Sequence, residues 1–154
     1  MENIYLEARS SEIEGTGCFA RQRIPAGTRI VEYLGQRIPP SVVEERSMVE
    51  VDDVGDIIKE SHVYMFYVDW RTTIDGAVNG NDARFINHSC NPNCKSTIED
   101  RRVFIDALRD IEPGEELTFD YNLDVKASTE LKKRYTCLCK APNCRGTMLA
   151  QPKG

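Results

Sequence analysis

Two short turn motifs, Ile24-Pro25-Ala26-Gly27 and Glu112-Pro113-Gly114, narrow what this chain can fold into. Each has proline and glycine where a tight turn uses them. Cys18-Phe19-Ala20 and Arg29-Ile30-Val31-Glu32-Tyr33 flank the first turn; Val103-Phe104-Ile105 and Glu116-Leu117-Thr118-Phe119 flank the second. These are short, extended-chain runs. Residues 63–68 are rich in aromatic and β-branched side chains and predict another strand, with Thr72-Thr73-Ile74 as its partner. The expectation is a mainly β protein. The two turn units also match each other: Ala20-x3-Ile24-x2-Gly27-x2-Ile30 against Ala107-x3-Ile111-x2-Gly114-x2-Leu117. Each leads to a tyrosine, Tyr33 or Tyr121. Two copies are too few for a repeat architecture. They predict two similar strand–turn–strand units ending near one site.

Helix signals are sparse. Ser41-Val42-Val43-Glu44 after Pro39-Pro40 reads as a capping box, with a helix running on toward Glu50. Residues 51–58 are acidic and contain Gly55, which predicts a loop or short helix covering the sheet or shaping a substrate groove. A second short helix is expected over residues 128–134. The sheet pattern ends near Asp124, giving an expected division into a main domain, 1–124, and a thiol-bearing tail, 125–154.

At 154 residues the chain has room for one domain with a modest core. No apolar run approaches the roughly 20 residues that span a bilayer, so no membrane role is expected. Met1-Glu2-Asn3-Ile4-Tyr5-Leu6-Glu7 has no basic region followed by an apolar stretch, so an export signal is not expected. That points to an intracellular, reducing setting, cytoplasmic or nuclear. There clustered thiols bind metal more often than they form disulfides. The net charge of −5 speaks against direct nucleic-acid binding and mildly favours a cationic partner. It serves solubility equally well.

Cys137-x-Cys139-x4-Cys144 has metal-ligand spacing. Structural Zn²⁺ takes four sulfur or nitrogen ligands, so a fourth must come from elsewhere: Cys90, Cys94 or His88. A tail this short cannot bury enough apolar surface to order itself, and metal binding would supply its folding energy. Cys18 is expected in the core as a small hydrophobe. Gly15-Thr16-Gly17 lacks the third glycine and following helix of a dinucleotide fingerprint. What glycine offers there is close backbone approach to a ligand, or simply a hairpin turn. Asn87, His88 and Ser89 follow Arg84-Phe85-Ile86, a strand end or one helical turn. Their donors and acceptors could read an adenine or a zwitterionic amino acid, or satisfy a buried loop.

Taken together, these residues resemble the SET-domain protein lysine methyltransferases with a post-SET zinc tail, over nearly the whole chain. Gly15-Thr16-Gly17 resembles the family's cofactor turn, and Glu32-Tyr33-Leu34-Gly35 its Glu-Tyr-x-Gly strand. The stretch from Gly80-Asn81-Asp82-Ala83 through Arg84-Phe85-Ile86-Asn87-His88-Ser89-Cys90 is similar to its first signature. Gly114-Glu115-Glu116-Leu117-Thr118-Phe119-Asp120-Tyr121 is similar to its second, and Cys137-x-Cys139-x4-Cys144-Arg145-Gly146 to the post-SET motif.

The resemblance implies a β-clip-like SET fold: several small curved sheets around a knot-like active site, few short helices, and a zinc-bound C-terminal tail. It implies S-adenosylmethionine held by Gly15, Thr16, Gly17, His62, Tyr64, Asn87, His88 and Leu138. Tyr121 would be the catalytic tyrosine, with Tyr33 and Phe119 lining the lysine channel beside it. Zinc would take Cys90, Cys137, Cys139 and Cys144, which selects Cys90 over Cys94. The implied partner is a lysine-bearing protein, such as a histone. Phenylalanine at 119, where the family alternates with tyrosine, implies di- or trimethylation. Two other readings compete: an inactive SET-like binding module, and a zinc-stapled scaffold whose partner binding is the function.

Overall fold

Short β-favouring runs broken by proline and glycine give short strands and little helix. The computed structural model describes residues 3–13, 15–46, 50–51, 57–59, 64–121, 139 and 141–144. In chain order the strands are β1 (Leu6–Ser10), β2 (Thr16–Ala20), β3 (Arg29–Glu32) and β4 (Gln36–Ile38), then helix α1 (Pro40–Arg46). There follow β5 (Glu50–Val51), β6 (Ile57–Lys59), β7 (Met65–Asp69), β8 (Thr72–Asp75), and a 3-10 turn at Asp82–Phe85. The chain continues through β9 (Asn87–His88), β10 (Cys94–Glu99), β11 (Arg102–Ala107) and β12 (Glu116–Phe119). Among the described residues, several small sheets and one short helix give the mainly β architecture that the sequence implied. Among the described residues no helix is long and apolar enough to cross a membrane.

The chain forms two compact units. The first comprises Met1–Val31, Phe85–Thr97 and Phe104–Gly154; the second comprises Glu32–Arg84 and Ile98–Val103.

In the first unit a four-stranded sheet runs β1-β2-β12-β9. β1 and β2 pair antiparallel, Leu6 opposite Ala20 through Ser10 opposite Thr16. β12 lies antiparallel to β2, with Leu117 opposite Cys18, and parallel to β9, with Phe119 opposite His88. Cys18 on β2 and Leu117 on β12 are buried, as are Ile24, Ile86, Ile105 and Ile111 of the same unit. Each such aliphatic side chain contributes roughly 1.5–3 kcal/mol through removal from water. Cys18 packs in the core, as its position after the glycine turn predicted.

The two matching turn units bond to each other. Ile24 and Ile111 donate to each other's carbonyls at 2.8 Å. Gly27 N–H donates to Ala107 and Gly114 N–H to Ala20, again at 2.8 Å each. Ala107 N–H reaches the Thr28 carbonyl and Ala20 N–H the Glu115 carbonyl, both at 2.9 Å. Gly27 and Gly114 have φ of 84° and 85°, in the left-handed region where glycine is unpenalised. The matched sequences therefore form a local two-fold arrangement, each copy completing the other's backbone bonding.

In the second unit β4-β8-β7 form an antiparallel sheet. α1 starts at Pro40, the favoured place for proline at a first helical position. Ser41 therefore lies inside the helix rather than capping it, and the Pro39 carbonyl accepts from the Val42 and Val43 N–H groups. Of the span 51–58, expected as a loop or short helix, the described ends Val51, Ile57 and Ile58 are strand, β5 pairing antiparallel with β6 through a bulge; residues 52–56 lie outside the described residues. Extended chain suits β-branched Val51, Ile57 and Ile58. Tyr64 stands just before β7 rather than within it. The helix expected over 128–134 and the division near residue 124 fall outside the described residues.

Candidate active site

In the first unit, the parallel pairing of β9 and β12 brings together two sequence signatures. The Asp82–Phe85 turn leads into Asn87 and His88; β12 leads into Asp120 and Tyr121. The Tyr121 N–H donates to His88 Nδ1 at 3.0 Å, and the two rings meet edge to face at 5.3 Å. The Tyr121 hydroxyl donates to the Ile86 carbonyl. Phe119, buried, packs on the Tyr121 ring with centroids 4.8 Å apart. Tyr121 is thus held by hydrogen bonds at its amide and its hydroxyl and by ring contacts with His88 and Phe119. With its proton on Ile86, its oxygen meets any further group as an acceptor.

Asn87 is oriented by a neighbouring cluster. Its Nδ2 donates to Glu116 Oε2 at 2.9 Å and to Ser11 Oγ at 3.2 Å. Ser11 in turn donates to the Glu116 carboxylate at 2.7 Å. An amide pinned at Nδ2 presents its Oδ1 as an acceptor elsewhere. This cluster also explains Gly17. A Cβ there would overlap the Glu116 carboxylate and come within 2.9 Å of Ser11 Cβ. At Gly17 the group in close approach is a protein carboxylate. Gly15, at φ 47° with open space on its Cβ side, has the left-handed geometry that tolerates glycine best.

The thiols separate into two kinds. Cys90, Cys139 and Cys144 have their sulfurs all within 4.8 Å of one another. Tetrahedral zinc with Zn–S near 2.3 Å sets sulfurs about 3.8 Å apart, so the three fit a metal clip. Asn143 Nδ2 donates to the Cys90 carbonyl at 3.2 Å, tying the tail segment to the signature loop. Cys94 is excluded from the cluster. It is fully buried, donates to Asn93 Oδ1 at 3.3 Å, and burial pushes its thiol up to about 12. Of the fourth-ligand alternatives, Cys90 is the one whose sulfur lies with those of Cys139 and Cys144 among the described residues. Cys137, the remaining expected ligand, lies outside the described residues, as do His62 and Leu138.

The second unit carries Tyr33. It is 5% exposed, its hydroxyl donates to the Tyr64 carbonyl at 2.6 Å, and its ring lies 5.4 Å from that of Phe66. Burial pushes its phenol above the ordinary range and the charge of Asp75 adds to this, so the hydroxyl keeps its proton. Gly76 N–H donates to the same Tyr64 carbonyl at 2.8 Å, and a Cβ on Gly76 would sit 2.9 Å from the Tyr33 hydroxyl. Tyr64 thus holds Tyr33 through its backbone, a role no side-chain pattern announces.

Three positioning residues went unread in the sequence. Glu116 lay within a recognised stretch but was read only as strand. Ser11 carries no local signal. Asn93 donates to the Glu116 carbonyl and accepts from Thr118 N–H, both at 2.9 Å, stitching β12 to the signature loop.

This arrangement of small sheets, paired signatures and a thiol clip defines a SET-type protein. Residues 15–122 match the SET domain family, to which the chain belongs. It is 40% identical over 150 residues to histone-lysine N-methyltransferase trr of Drosophila melanogaster, covering 95% of this chain and 6% of that protein. It is 44% identical over 140 residues to a histone-lysine N-methyltransferase, H3 lysine-4 specific, of Saccharomyces cerevisiae, covering 88% of this chain and 12% of that protein. A solved structure of KRYPTONITE with mCHG DNA and SAH superposes with a TM-score of 0.73 at 29% identity, over 96% of this chain and 30% of that one. The chain thus spans a small fraction of the relatives it matches.

Proposed function

We propose that this chain is an S-adenosylmethionine-dependent protein-lysine N-methyltransferase acting on a basic protein tail such as that of a histone, in a nuclear setting. The observation that carries the reading is the contact of Tyr121 with His88. It gives one tyrosine of a second signature a fixed place against the polar loop of the first. The histone-lysine N-methyltransferase relatives and the SAH in the KRYPTONITE structure support the same reading.

When bound, S-adenosylmethionine supplies the methyl group, transferred in line from its sulfonium to the lysine amine and leaving S-adenosylhomocysteine. On the family resemblance, Gly15, Thr16, Gly17, His62, Tyr64, Asn87, His88 and Leu138 are the residues that would hold the cofactor. Asn87, its Nδ2 held by Glu116, would face the cofactor with its Oδ1, an acceptor suited to an ammonium. The His88 ring is engaged by Tyr121 and Cys90, so its share is to hold the loop. Tyr121 would accept from the lysine amine and orient it, with Phe119 packed against its ring; a channel-lining role for Tyr33 rests on the family resemblance. An ammonium entering a dry site beside a sulfonium has a depressed pKa from desolvation and like charge together, so no dedicated base is required. Most of the rate then comes from alignment. Phe119 adds no hydroxyl beside Tyr121, leaving room for a methylated amine, so products extend to di- or trimethyl-lysine. A structural zinc ion would be held by Cys90, Cys139 and Cys144, whose sulfurs lie together, with Cys137 as the fourth ligand on the family resemblance.

The test is methylation of histones and a lysine peptide array with isotope-labelled S-adenosylmethionine, read by mass spectrometry, alongside Tyr121→Phe. Label on lysine with the native chain and its loss with the variant is the expected result. No lysine labelling on any substrate, or undiminished labelling by Tyr121→Phe, overturns it.

A further inference from the structure

The ring of His88 stands between the thiol cluster and the backbone of Tyr121. Its Nδ1 accepts from the Tyr121 N–H at 3.0 Å, and its Nε2 lies 3.4 Å from the Cys90 sulfur. The His88 side chain is only 1% exposed. Asp120 Oδ1 lies 3.6 Å from Nδ1, beyond hydrogen-bonding length. A backbone N–H can only donate. Nδ1 must therefore present its lone pair, and the neutral ring carries its hydrogen on Nε2, toward sulfur. A zinc-bound cysteine sulfur is a thiolate, an acceptor. Both ends of the ring thus require the same tautomer, and each bond supports the other.

We infer that zinc bound at Cys90, Cys139 and Cys144 positions Tyr121 through the ring of His88. The inference rests on the metal role proposed for the thiol cluster. Zinc fixes the Cys90 sulfur; the sulfur fixes Nε2 and with it the ring plane; the ring fixes the Tyr121 amide two residues beyond β12. Tyr121 is then held by its amide on the metal side and by its hydroxyl on Ile86. His88 is a positioning residue in this scheme, and the zinc clip acts on the phenol as well as on the tail. Hydrogen-bonding partners of metal ligands commonly tune metal affinity by 10–100-fold, so the coupling also runs from His88 back to zinc.

The experiment uses the full chain in two arms. In the first, the ¹⁵N-labelled wild type is followed by NMR while zinc is stripped with a chelator, reading the shift and solvent exchange of the Tyr121 amide. Exchange at Tyr121 should accelerate at least tenfold, with the Leu117 amide in the sheet as the unchanged reference. In the second, zinc affinity is measured by competition with a chromophoric chelator for wild type, His88→Phe and His88→Gln. The phenylalanine variant keeps ring volume without either bond and should bind zinc about 10–100-fold more weakly. The glutamine variant keeps a donor toward sulfur and should recover part of that loss. In folded His88→Phe, the Tyr121 amide should no longer respond to stripping. A Tyr121 amide indifferent to zinc in the wild type overturns the inference, and so do equal zinc affinities across the three proteins. If the variants do not fold, the wild-type arm decides alone. Methylation without zinc-dependent change at Tyr121 defeats this coupling and leaves the proposed function standing. A zinc response without methylation does the reverse. A wild type that takes up no zinc defeats the coupling and the metal role together.

Discussion

Ile24 and Ile111 exchange both of their backbone hydrogen bonds at 2.8 Å, at the centre of a local two-fold that relates two turn units. Gly27 and Gly114 occupy equivalent places in it, at φ 84° and 85°, and neither would bring a Cβ within 4 Å of another group. Alanine at either site meets backbone strain alone. Gly27→Ala and Gly114→Ala should each lower unfolding free energy by about 1 kcal/mol, and by similar amounts. Urea denaturation measures this, and a strongly unequal pair would show that the symmetry is not energetic.

Tyr121→Phe removes the hydroxyl that bonds to Ile86 but leaves the amide on His88 and the contact with Phe119. Turnover should fall roughly 10²-fold or more through lost alignment. The melting temperature should move little. Labelled-cofactor turnover and a thermal melt on the same preparation separate a catalytic loss from an unfolding loss.

Phe119→Tyr adds a hydroxyl next to Tyr121, whose ring centroid is 4.8 Å away. The added group crowds a methylated amine, so product should shift toward monomethyl-lysine. Mass spectrometry of a single peptide across a time course reads the distribution. An unchanged distribution would show that residue 119 does not bound the space around the amine.

Gly17→Ala drives a methyl into the space of the Glu116 carboxylate and against Ser11. Glu116 can swing aside at modest cost, but Asn87 then loses its strongest restraint. The KM for S-adenosylmethionine should rise about tenfold, equivalent to one hydrogen bond of about 1.4 kcal/mol, with kcat changing less. Glu116→Ala should reproduce that split without crowding β2. A fall in kcat at constant KM in both variants would contradict it.

Burial pushes the Cys94 thiol up to about 12 from its ordinary 9.0, and burial with Asp75 raises the Tyr33 phenol above its ordinary 10.0. Both groups keep protons in the folded chain that the unfolded chain would release. Their stabilisation is complete below about pH 9 and is lost as pH rises through the folded values. Urea midpoints should be level near neutrality and fall above pH 9. Cys94→Ala should flatten the early part of that decline, and an unaltered decline in this variant would remove Cys94 from the account.

Much of the fold was legible because its determinants are local. The Pro-Gly turns, the β12 limits and the pairing of β8 with β7 follow from turn chemistry and β-branched runs. The residues flanking the acidic insert were misread because composition outweighed the extended preference of Val51, Ile57 and Ile58. At the site, sequence marked the side chains that belong to signatures but not those acting across the sheet. Ser11 reaches Glu116 and Asn87 from a distant part of the chain, and Tyr64 holds Tyr33 by a carbonyl that every residue type possesses. Contacts made by backbone, or by ordinary serines far away in order, leave no pattern to read.

The short parallel ladder of β9 and β12 sets Thr118 against Asn87 and Phe119 against His88. Neighbouring strand positions point to opposite faces, so a slip by one residue would turn each partner outward and carry Tyr121 with it. Gain or loss of a single amino acid between Pro113 and Glu116 is therefore a more severe lesion than many substitutions there. Length changes in natural variants should gather elsewhere, because these few paired positions act as the gauge that keeps both halves of the chain in step.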